Sequence, residues 1–467
     1  MRHRLTVAVL CVILLGACAF EGLSEQDGGF LAPADATSAI GADRFIELVN
    51  SAYAIYDRDG NVIEKGSTSA LYGTGAAFIS DPQIVWDAPS QRFYFAAVAN
   101  KGTTRVPDWG LVYGFSMMSS PSSASQWCRY FVDANYVTAL PDFPRLGLTA
   151  DFALIGVNRF SNTVANNAAS RDHPRRKATV SAASQFAGGD VTWIAKPGSG
   201  SLSSCPALGA HGIFKGLTTA AGFAATTPVP TREVDASSTG WIVANGDPLP
   251  ATTIDIYAIT NQEGAAALGP ARSVSVSSYT DPSGPAPQAG GHPLDSGDSR
   301  LTSAWMAFDP RVGHTAIWLA HTVAGGAGAA VRWYELDPVA ATVDQSGTVS
   351  DPSLHVYYPA ISPDRSAGRF GSNMAIALTT SSSSQPTAAA IVQKTGALPT
   401  SPLMTAKAST QAWSCTIDAA IGACRWGDYL GASPDPSASG PNSGVIWLTG
   451  EWNSATLWRT WNWQAGF

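Results

Sequence analysis

The sequence predicts an all-β protein, and three observations carry that prediction. Short strand patterns recur along the chain, whereas no window of about twelve or more residues keeps a helical apolar period without a glycine or proline. The 45 glycines and 30 prolines among 467 residues occur singly or in pairs, without a Gly-X-Y period, which excludes a helical bundle, a coiled coil and collagen. With 45% hydrophobic and 13% charged residues, the composition also excludes disorder.

The N-terminal 17 residues are predicted to be an export signal. A basic start, Met1 to Arg4, is followed by an apolar run that is too short to span a bilayer as a mature helix. The run ends in Leu15-Gly16-Ala17-Cys18, which resembles a bacterial lipobox and implies cleavage before Cys18 and lipidation of that residue. An ordinary signal peptide without a lipid is the alternative. We therefore expect an extracytoplasmic protein of the bacterial cell envelope, anchored to a membrane by lipid, and to the outer membrane if the cell is Gram-negative.

Residues 18–41 are predicted to form a flexible tether between this anchor and the folded body. The segment is rich in Glu, Gln, Gly, Ser, Pro and Asp and shows little periodicity. The folded domain is accordingly predicted to cover residues 42–467.

The cysteines fit an exported protein. Apart from Cys11 and Cys18 at the N-terminus, four remain, and an even number suits disulfides. Of the three possible connectivities, Cys415 with Cys424 and Cys128 with Cys205 is the economical choice because the first pair is only nine residues apart. A metal site is the alternative, but no Cys-x-x-Cys or paired histidine spacing favours it.

An internal repeat appears when hairpins are aligned on an aspartate turn. In each unit a strand leads through an Asp-containing turn to a strongly apolar second strand, as in Ile84–Asp87 before Phe93–Phe95. The seven apolar second strands are Phe45–Val49, Phe93–Ala99, Phe152–Ile155, Trp241–Ala244, Ala316–Leu319, Met374–Leu378 and Val445–Leu448.

Seven units at a mean spacing of about 67 residues predict a β-propeller with seven blades, and six remain possible. The 15 tryptophans suit the wedges between such blades, and pairing of the two terminal segments would close the ring. Two packed β-sandwich domains are the competing architecture.

Several stretches resemble exported bacterial β-propeller proteins of the sialidase-like or BNR-like superfamily. The similar stretches are Asp81–Asp87 with Arg92-Phe93, Leu294–Leu301, Ile317–Thr322 with Val331–Glu335, and Arg425–Tyr429. The resemblance covers most of residues 42–463 and implies the propeller fold. The chain departs from true sialidases because it has neither a Ser-x-Asp-x-Gly-x-Thr-Trp box nor a Phe/Tyr-Arg-Ile-Pro segment, and this departure disfavours sialidase activity.

Polar residues just before the apolar repeats are the candidate ligand-binding residues, because the innermost strand of a propeller blade begins at a mouth of the central channel. They are Asp81, Asp142, Arg145, Asp298, Arg300, Arg425 and Asp428. Converging carboxylates and guanidiniums could bind a polar ligand bidentately or shift one another's pKa. The competing interpretation is that these side chains cap turns and pair between blades.

Other sites are disfavoured by the sequence. There is no His-x-x-x-His pair, Gly-x-Ser-x-Gly elbow or glycine-rich phosphate loop before a helix, so neither a metal nor another cofactor is expected. Asp57–Asn61 starts like a calcium loop, but the twelfth position is Thr68, and a hairpin turn is favoured. A net charge of −7 argues against nucleic acid, and the basic cluster over Arg171–Lys177 is predicted to be a solvated loop in preference to a site for an anionic partner.

These observations predict a lipid-anchored propeller that acts as a binding or interaction module, with a glycan or a protein as partner and with a monomeric body. A glycan-active hydrolase or lyase using the Asp and Arg residues of the channel mouth is the alternative. A structural envelope protein with no small ligand is a third hypothesis. Fold alone assigns none of these functions.

Overall fold

Seven antiparallel sheets, called blades here, are arranged around a central axis. The computed structural model describes residues 18–467 except 74, 77, 104–106, 134–135, 137–138, 162–185, 247, 419–420 and 456. In blades 1 to 6 the innermost strand comes first in the chain and the following strands pair successively outward, and in blade 7 the outermost strand is the N-terminal β1.

The first three blades are built from consecutive strands after β1 (Ala19–Ser24), which belongs to the seventh blade. Blade 1 contains β2 (Thr37–Ile40), β3 (Phe45–Val49), β4 (Ala52–Tyr56) and β5 (Val62–Ser67), followed by the short helix α1 (Thr68–Tyr72). Blade 2 contains β6 (Phe78–Asp87), β7 (Arg92–Asn100), β8 (Trp109–Ser116) and β9 (Trp127–Val132), with a 3-10 turn at Ala124–Gln126. Blade 3 contains β10 (Ala139–Leu148), β11 (Phe152–Ser161), β12 (Phe186–Ala195) and β13 (His211–Leu217).

The other four blades complete the ring. Blade 4 contains β14 (Thr226–Pro230), β16 (Thr239–Asn245) and β17 (Ala251–Gln262), with β18 (Ala265–Leu268) and β19 (Arg272–Tyr279) along its outer edge. Blade 5 contains β20 (Leu301–Asp309), β21 (His314–Gly325), β22 (Gly328–Asp337) and β23 (Thr342–Val349). Blade 6 contains β24 (His355–Pro363), β25 (Met374–Ser382), β26 (Gln385–Lys394) and β27 (Met404–Ala408). Blade 7 contains β28 (Gly431–Pro434), β29 (Ile446–Ser454), β30 (Leu457–Ala465) and β1.

The innermost strands form a closed ring. Each of β2, β6, β10, β14, β20, β24 and β28 contacts the innermost strand of the next blade, and β28 contacts β2. The two-residue strand β15 (Arg232–Glu233) follows β14 of blade 4 in the chain. It pairs in parallel with β10 of blade 3 and with β20 of blade 5, so it links these two blades.

The predicted seven-bladed propeller is confirmed in the described residues. All seven apolar segments aligned in the sequence lie in the second strands of their blades, namely β3, β7, β11, β16, β21, β25 and β29. These strands are almost wholly buried because both of their faces are covered by neighbouring blades. Thirteen tryptophans are buried among the described residues, where the blades need large side chains to fill the space between them.

The flexible tether predicted over residues 18–41 is wrong. β1 pairs antiparallel with β30, with Phe20 opposite Asn462 and Glu21 opposite Trp461, and β2 is the innermost strand of blade 1. The sequence could not show this because the partner of β1 lies about 440 residues away and six residues carry too little periodicity. The predicted closure of the ring by its terminal segments is confirmed, and β1 supplies it.

The cysteine pairing is as predicted. Cys128 bonds to Cys205 and Cys415 bonds to Cys424, whereas Cys18 is a free, half-buried thiol at the start of β1. The two disulfides suit an extracytoplasmic protein. Across the described residues, no helix is both long and apolar enough to cross a membrane.

Of three further predictions, only the turn at Asp57–Asn61 lies within the described residues. Asp57 accepts hydrogen bonds from the backbone N–H groups of Asp59 and Asn61, at 3.0 and 2.9 Å, in the turn between β4 and β5, so the hairpin interpretation is confirmed. The predicted signal peptide, residues 1–17, and the basic cluster, residues 171–177, lie outside the described residues.

Polar side chains at the ends of the second strands connect neighbouring blades. Asn158 of blade 3 accepts a hydrogen bond from the backbone N–H of Thr227 in blade 4 at 2.7 Å and donates to the Thr227 hydroxyl at 2.8 Å. Asn245 of blade 4 accepts from the backbone N–H of Leu301 in blade 5 at 3.0 Å and donates to the Ser299 carbonyl. These bonds satisfy backbone groups at the start of each next innermost strand, where no ladder partner is available.

Candidate functional site

The innermost strands all begin at one end of the ring, which we call the entry face, and end at the opposite exit face. This follows from the order of the blades, since each repeats the same inward-to-outward antiparallel path. Residues that precede or begin the innermost strands therefore converge at the entry face. The predicted site residues belong to this class.

Several innermost strands begin with a bulge that turns side chains out of the ladder. Four non-glycine residues directly before a proline have a positive φ of 48–58°, and the strand register shifts at each of them. They are Asp81, Phe143, Thr227 and Tyr358. A left-handed residue before proline is an unusual backbone conformation, and bulges of this kind commonly re-aim side chains next to functional sites.

The entry face holds a group of charged residues from blades 3, 5 and 7, which we call the mouth cluster. It consists of Asp142, Arg145, Asp298, Arg300, Arg425 and Asp428. The structure thus brings these six predicted residues together, and the charge of the seventh, Asp81, also acts on Arg145.

Asp298 and Arg300 form a bidentate ion pair just before β20. Arg300 Nε donates to Asp298 Oδ1 at 2.7 Å and Arg300 Nη2 donates to Oδ2 at 2.6 Å. Burial alone would raise the pKa of Asp298, but Arg300 outweighs it and lowers that pKa. The two side chains remain 39% and 29% exposed, so a ligand in solution can reach them.

Arg425 is paired in a similar way just before β28. Its Nη2 donates to both carboxylate oxygens of Asp428, at 2.9 and 2.7 Å, and its Nε lies 3.5 Å from Asp295 Oδ2. Burial alone would lower the pKa of Arg425, but Asp428 and Asp295 raise it well above its ordinary value. For Asp295 itself, burial outweighs Arg425 and raises the pKa of the carboxyl.

Arg145 lies below this surface and is 2% exposed. Its guanidinium lies between the rings of Phe143 and Tyr429, at 3.6 and 3.9 Å from their centroids, and Nη1 donates to the Thr302 carbonyl at 3.1 Å. Burial lowers the pKa of Arg145 to about 10. This residue therefore supports the floor of the mouth and is not itself in contact with solvent.

Asp81 and Asp142 differ in position. Asp81 is 1% exposed on β6, its backbone N–H donates to Asn50 Oδ1 at 2.8 Å, and its charge opposes the lowering of the Arg145 pKa by burial. Asp142 is half-buried on β10, and its charge contributes to the raised pKa of Arg300.

Three residues near the mouth were not among the predicted site residues. Asp295 lies beside Arg425, the buried Tyr358 approaches Gly297, and the buried Glu451 approaches Gly427. Burial, with Asp35 and Asp428 adding to it, raises the pKa of Glu451 well above its ordinary value. The recurring residue-before-proline at the start of innermost strands could have identified Tyr358, whereas Glu451 lies within an apolar second strand that looks like core.

A cavity of about 130 Å³ opens beside the Asp298–Arg300 pair, between blades 4 and 5. Its lining residues are Thr226, Asn245, Gly246, Leu249, Asp281, Asp298, Ser299 and Arg300. Asp281 fixes one wall by accepting hydrogen bonds from the Ser299 backbone N–H and hydroxyl at 2.8 and 2.6 Å. At about 30 Å³ per water molecule, the cavity has room for a few waters or for the polar end of a larger ligand.

The chemistry of this arrangement is that of paired donors and acceptors. Each exposed guanidinium is neutralised by an aspartate of the same short segment, so neither offers an uncompensated charge. A group that both donates and accepts hydrogen bonds can be held by such pairs without disturbing the charge balance.

Comparisons with known proteins find similarity in solved structures only. No model of a protein family matches the sequence, and no curated protein matches it. The chain is similar to a structure titled the Dos1 propeller, with 9% identity, a TM-score of 0.39, and 95% of this chain and 93% of that chain covered. It is also similar to a subtype N11 neuraminidase-like protein of A/flat-faced bat (H18N11), with 10% identity, a TM-score of 0.35 and coverage of 68% and 73%. An exo-beta-1,3-galactanase from Clostridium thermocellum shows 8% identity, a TM-score of 0.31 and coverage of 77% and 82%. Similarities of this size assign no activity to this chain.

Proposed function

We propose that the protein is a binding module of the bacterial cell envelope whose mouth cluster takes a polyhydroxylated ligand, a glycan. The observation that carries the proposal is the bidentate Asp298–Arg300 pair, which is partly exposed beside a polar cavity. Two pairs of this kind and the walls fixed by Asp281 and Asn245 form a pre-organised surface, which lowers the entropic cost of binding.

The pairing of charges favours a neutral polyol over an ion. A hydroxyl group can donate to Asp298 or Asp428 and accept from Arg300 or Arg425 at the same time, so both members of a pair stay satisfied. An anion would compete with the aspartates for the guanidiniums, and a cation would compete with the arginines. Either ion would leave one charge unpaired at a partly buried position, which is costly.

The anchoring of this module is part of the same proposal. The lipobox-like Leu15–Cys18 and the two disulfides support an exported protein with an acyl chain on Cys18. The ligand-binding body is proposed to act as a monomer, because the ring closes on its own N-terminal strand and needs no second copy to cover a sheet edge.

Thermal unfolding against a panel of glycans and peptidoglycan fragments tests the binding site. A ligand of the native state raises the unfolding midpoint by mass action, and we expect one member of the panel to do so. The shift should be lost in Arg300→Gln and retained in Arg459→Gln. Arg459 is a matched control because it forms an ion pair of comparable exposure with Glu21 at the outer edge of blade 7. A shift of equal size in Arg300→Gln would refute the site.

A glycan-active hydrolase or lyase is the second candidate, favoured by one observation. The pKa of Asp295 is raised while that of Asp298, three residues away, is lowered, and two carboxyl groups with such separated pKa values can serve as acid and base. Incubation of each glycan that shifts the midpoint, followed by chromatography of the products, tests this candidate. Turnover that Asp295→Asn abolishes would establish an enzyme, whereas bound but unchanged glycan would establish a binding module.

A further inference from the structure

The position of Cys18 in the ring determines which face would meet a membrane. As the outermost strand of blade 7, β1 runs antiparallel to β30 and therefore from the exit face to the entry face. The Cys18 carbonyl accepts a hydrogen bond from the backbone N–H of Gln464, near the end of β30, at 3.2 Å. Cys18 is therefore on the exit face, opposite the mouth cluster.

Three large apolar side chains are exposed on the same face. Val62, Val339 and Leu398 are 54%, 76% and 63% exposed. Val339 and Leu398 lie in the connections between the third and fourth strands of their blades, and Val62 is the first residue of the fourth strand β5, so all three are at the exit face. Val339 and Leu398 are exposed apolar residues in turns, which are commonly polar.

These residues and Cys18 occupy one continuous arc of the ring. Val339 belongs to blade 5, Leu398 to blade 6, Cys18 to blade 7 and Val62 to blade 1, and these four blades are consecutive. Among the described residues, the other large exposed apolar side chains lie toward the entry face, except Ile63, which follows Val62 in β5. The exit-face apolar residues are therefore confined to blades 5, 6 and 1, on both sides of blade 7 with its proposed lipid site.

No flexible linker separates Cys18 from the folded body. Ala19 already pairs with Trp463, so an acyl chain on Cys18 would hold the exit face directly at the bilayer surface. Several acyl chains on the thiol and amine of Cys18 would anchor the protein, and apolar side chains that enter the interface add to this binding.

We propose that the exit face is a membrane-docking surface on which Val62, Val339 and Leu398 contact the lipid interface beside an acylated Cys18. This inference rests on the anchoring in the proposed function. It places the mouth cluster on the side facing away from the membrane, where a glycan outside the bilayer can reach it.

Accessibility of introduced cysteines tests the orientation in the full chain, expressed with its leader in a host that processes lipoproteins. Val339→Cys and Leu398→Cys probe the docking surface, and Phe223→Cys, 48% exposed between β13 and β14, is the entry-face control. In membranes, a polyethylene glycol maleimide should label positions 339 and 398 about tenfold more slowly than in the same variants made soluble by Cys18→Ala. Labelling at position 223 should be the same in both forms.

The outcomes separate the orientation from the anchoring. If mass spectrometry finds no acyl chain on the Cys18 peptide and the protein does not sediment with membranes, the anchoring and the docking surface are both refuted. If Cys18 is acylated but positions 339 and 398 label as fast as in the soluble form, the docking surface alone is refuted.

A second pair of variants tests the contribution of the apolar contacts. The double variant Val339→Asp, Leu398→Asp should retain its unfolding midpoint, because both residues are exposed, but should release several-fold more protein from membranes at a given detergent concentration. Phe223→Asp is the control and should release as the wild type does. Equal release of both variants would contradict a lipid contact at these positions.

Discussion

At the scale of single residues, the buried ionisable groups near the axis are of two kinds. Some are paired with an opposite charge, and others have a pKa that burial shifts toward the neutral form. Arg300 and Arg425 keep their charges because aspartates lie within hydrogen-bonding distance. Glu233, in contrast, is 3% exposed, and its Oε1 accepts no hydrogen bond from the described residues. Burial raises the pKa of Glu233 to about 9, although the nearby Lys196 opposes the shift.

Glu233 should make the protein less stable as the pH rises. The pKa of Glu233 is higher in the folded state than in the unfolded chain. Its contribution to the free energy of unfolding is therefore fully present below about pH 4.5, decreases as the pH rises and is lost by about pH 9. Glu233→Gln should remove this loss, so its free energy of unfolding should exceed that of the wild type by a few kcal/mol at pH 9. Urea unfolding at pH 5, 7 and 9 measures the difference.

The control for this prediction is Glu263→Gln, in the exposed turn between β17 and β18. It should leave the pH dependence of the wild type unchanged. An unaltered slope in Glu233→Gln would show that Glu233 ionises normally in the folded protein.

At the scale of elements, strands and disulfides could be predicted from the sequence, but the bulges could not. Apolar runs such as Phe93–Ala99 reveal second strands because both faces are buried, and the spacing of four cysteines favours one pairing. The left-handed conformations of Phe143 and Tyr358 depend on contacts between blades, and residues before proline ordinarily avoid that region. Of the four residues in these bulges, only Asp81 was among the predicted site residues.

The bonds of Asn245 to the next blade should contribute substantially to stability. Asn245→Ala leaves the buried Leu301 backbone N–H without its partner, whereas the Ser299 carbonyl keeps its bond to His321 Nδ1 at 2.8 Å. We expect a loss of about 1–3 kcal/mol in the free energy of unfolding, the cost of one unsatisfied buried group. Asn61→Ala, in an exposed turn, is the control and should cost under about 1 kcal/mol. Equal losses in the two variants would contradict the role assigned to Asn245.

At the scale of the whole molecule, the sequence predicts seven blades and a ring closed by its termini, but it places the closing strand in a tether. The repeats identify blades because each unit is locally complete, whereas β1 acquires its structure only from β30. The mouth cluster was predicted for the same reason that the blades were: its residues directly precede repeated apolar strands. Residues such as Glu451, which reach the mouth from a second strand, required the three-dimensional packing of blades.

Ring closure should be sensitive to the side chain at position 22. A Cβ atom at Gly22 would collide with Glu47, Thr460 and Asn462, where β1 packs between blades 7 and 1. Gly22→Ala should therefore cost about 1–3 kcal/mol and lower the thermal midpoint of the whole propeller. Gly198→Ala is the control, since nothing lies within 4 Å of its Cβ position. A Gly22→Ala midpoint equal to that of the control would indicate that β1 is not packed there.

Ring closure and the position of Cys18 both depend on β1, so hydrogen exchange in the peptide that covers residues 18–27 tests the architecture most directly. The β1 amides bonded to β30, together with the Leu23 and Glu25 amides, should exchange as slowly as those of β30 itself. Exchange at the rate of an unstructured chain would contradict the closed ring and restore the flexible tether.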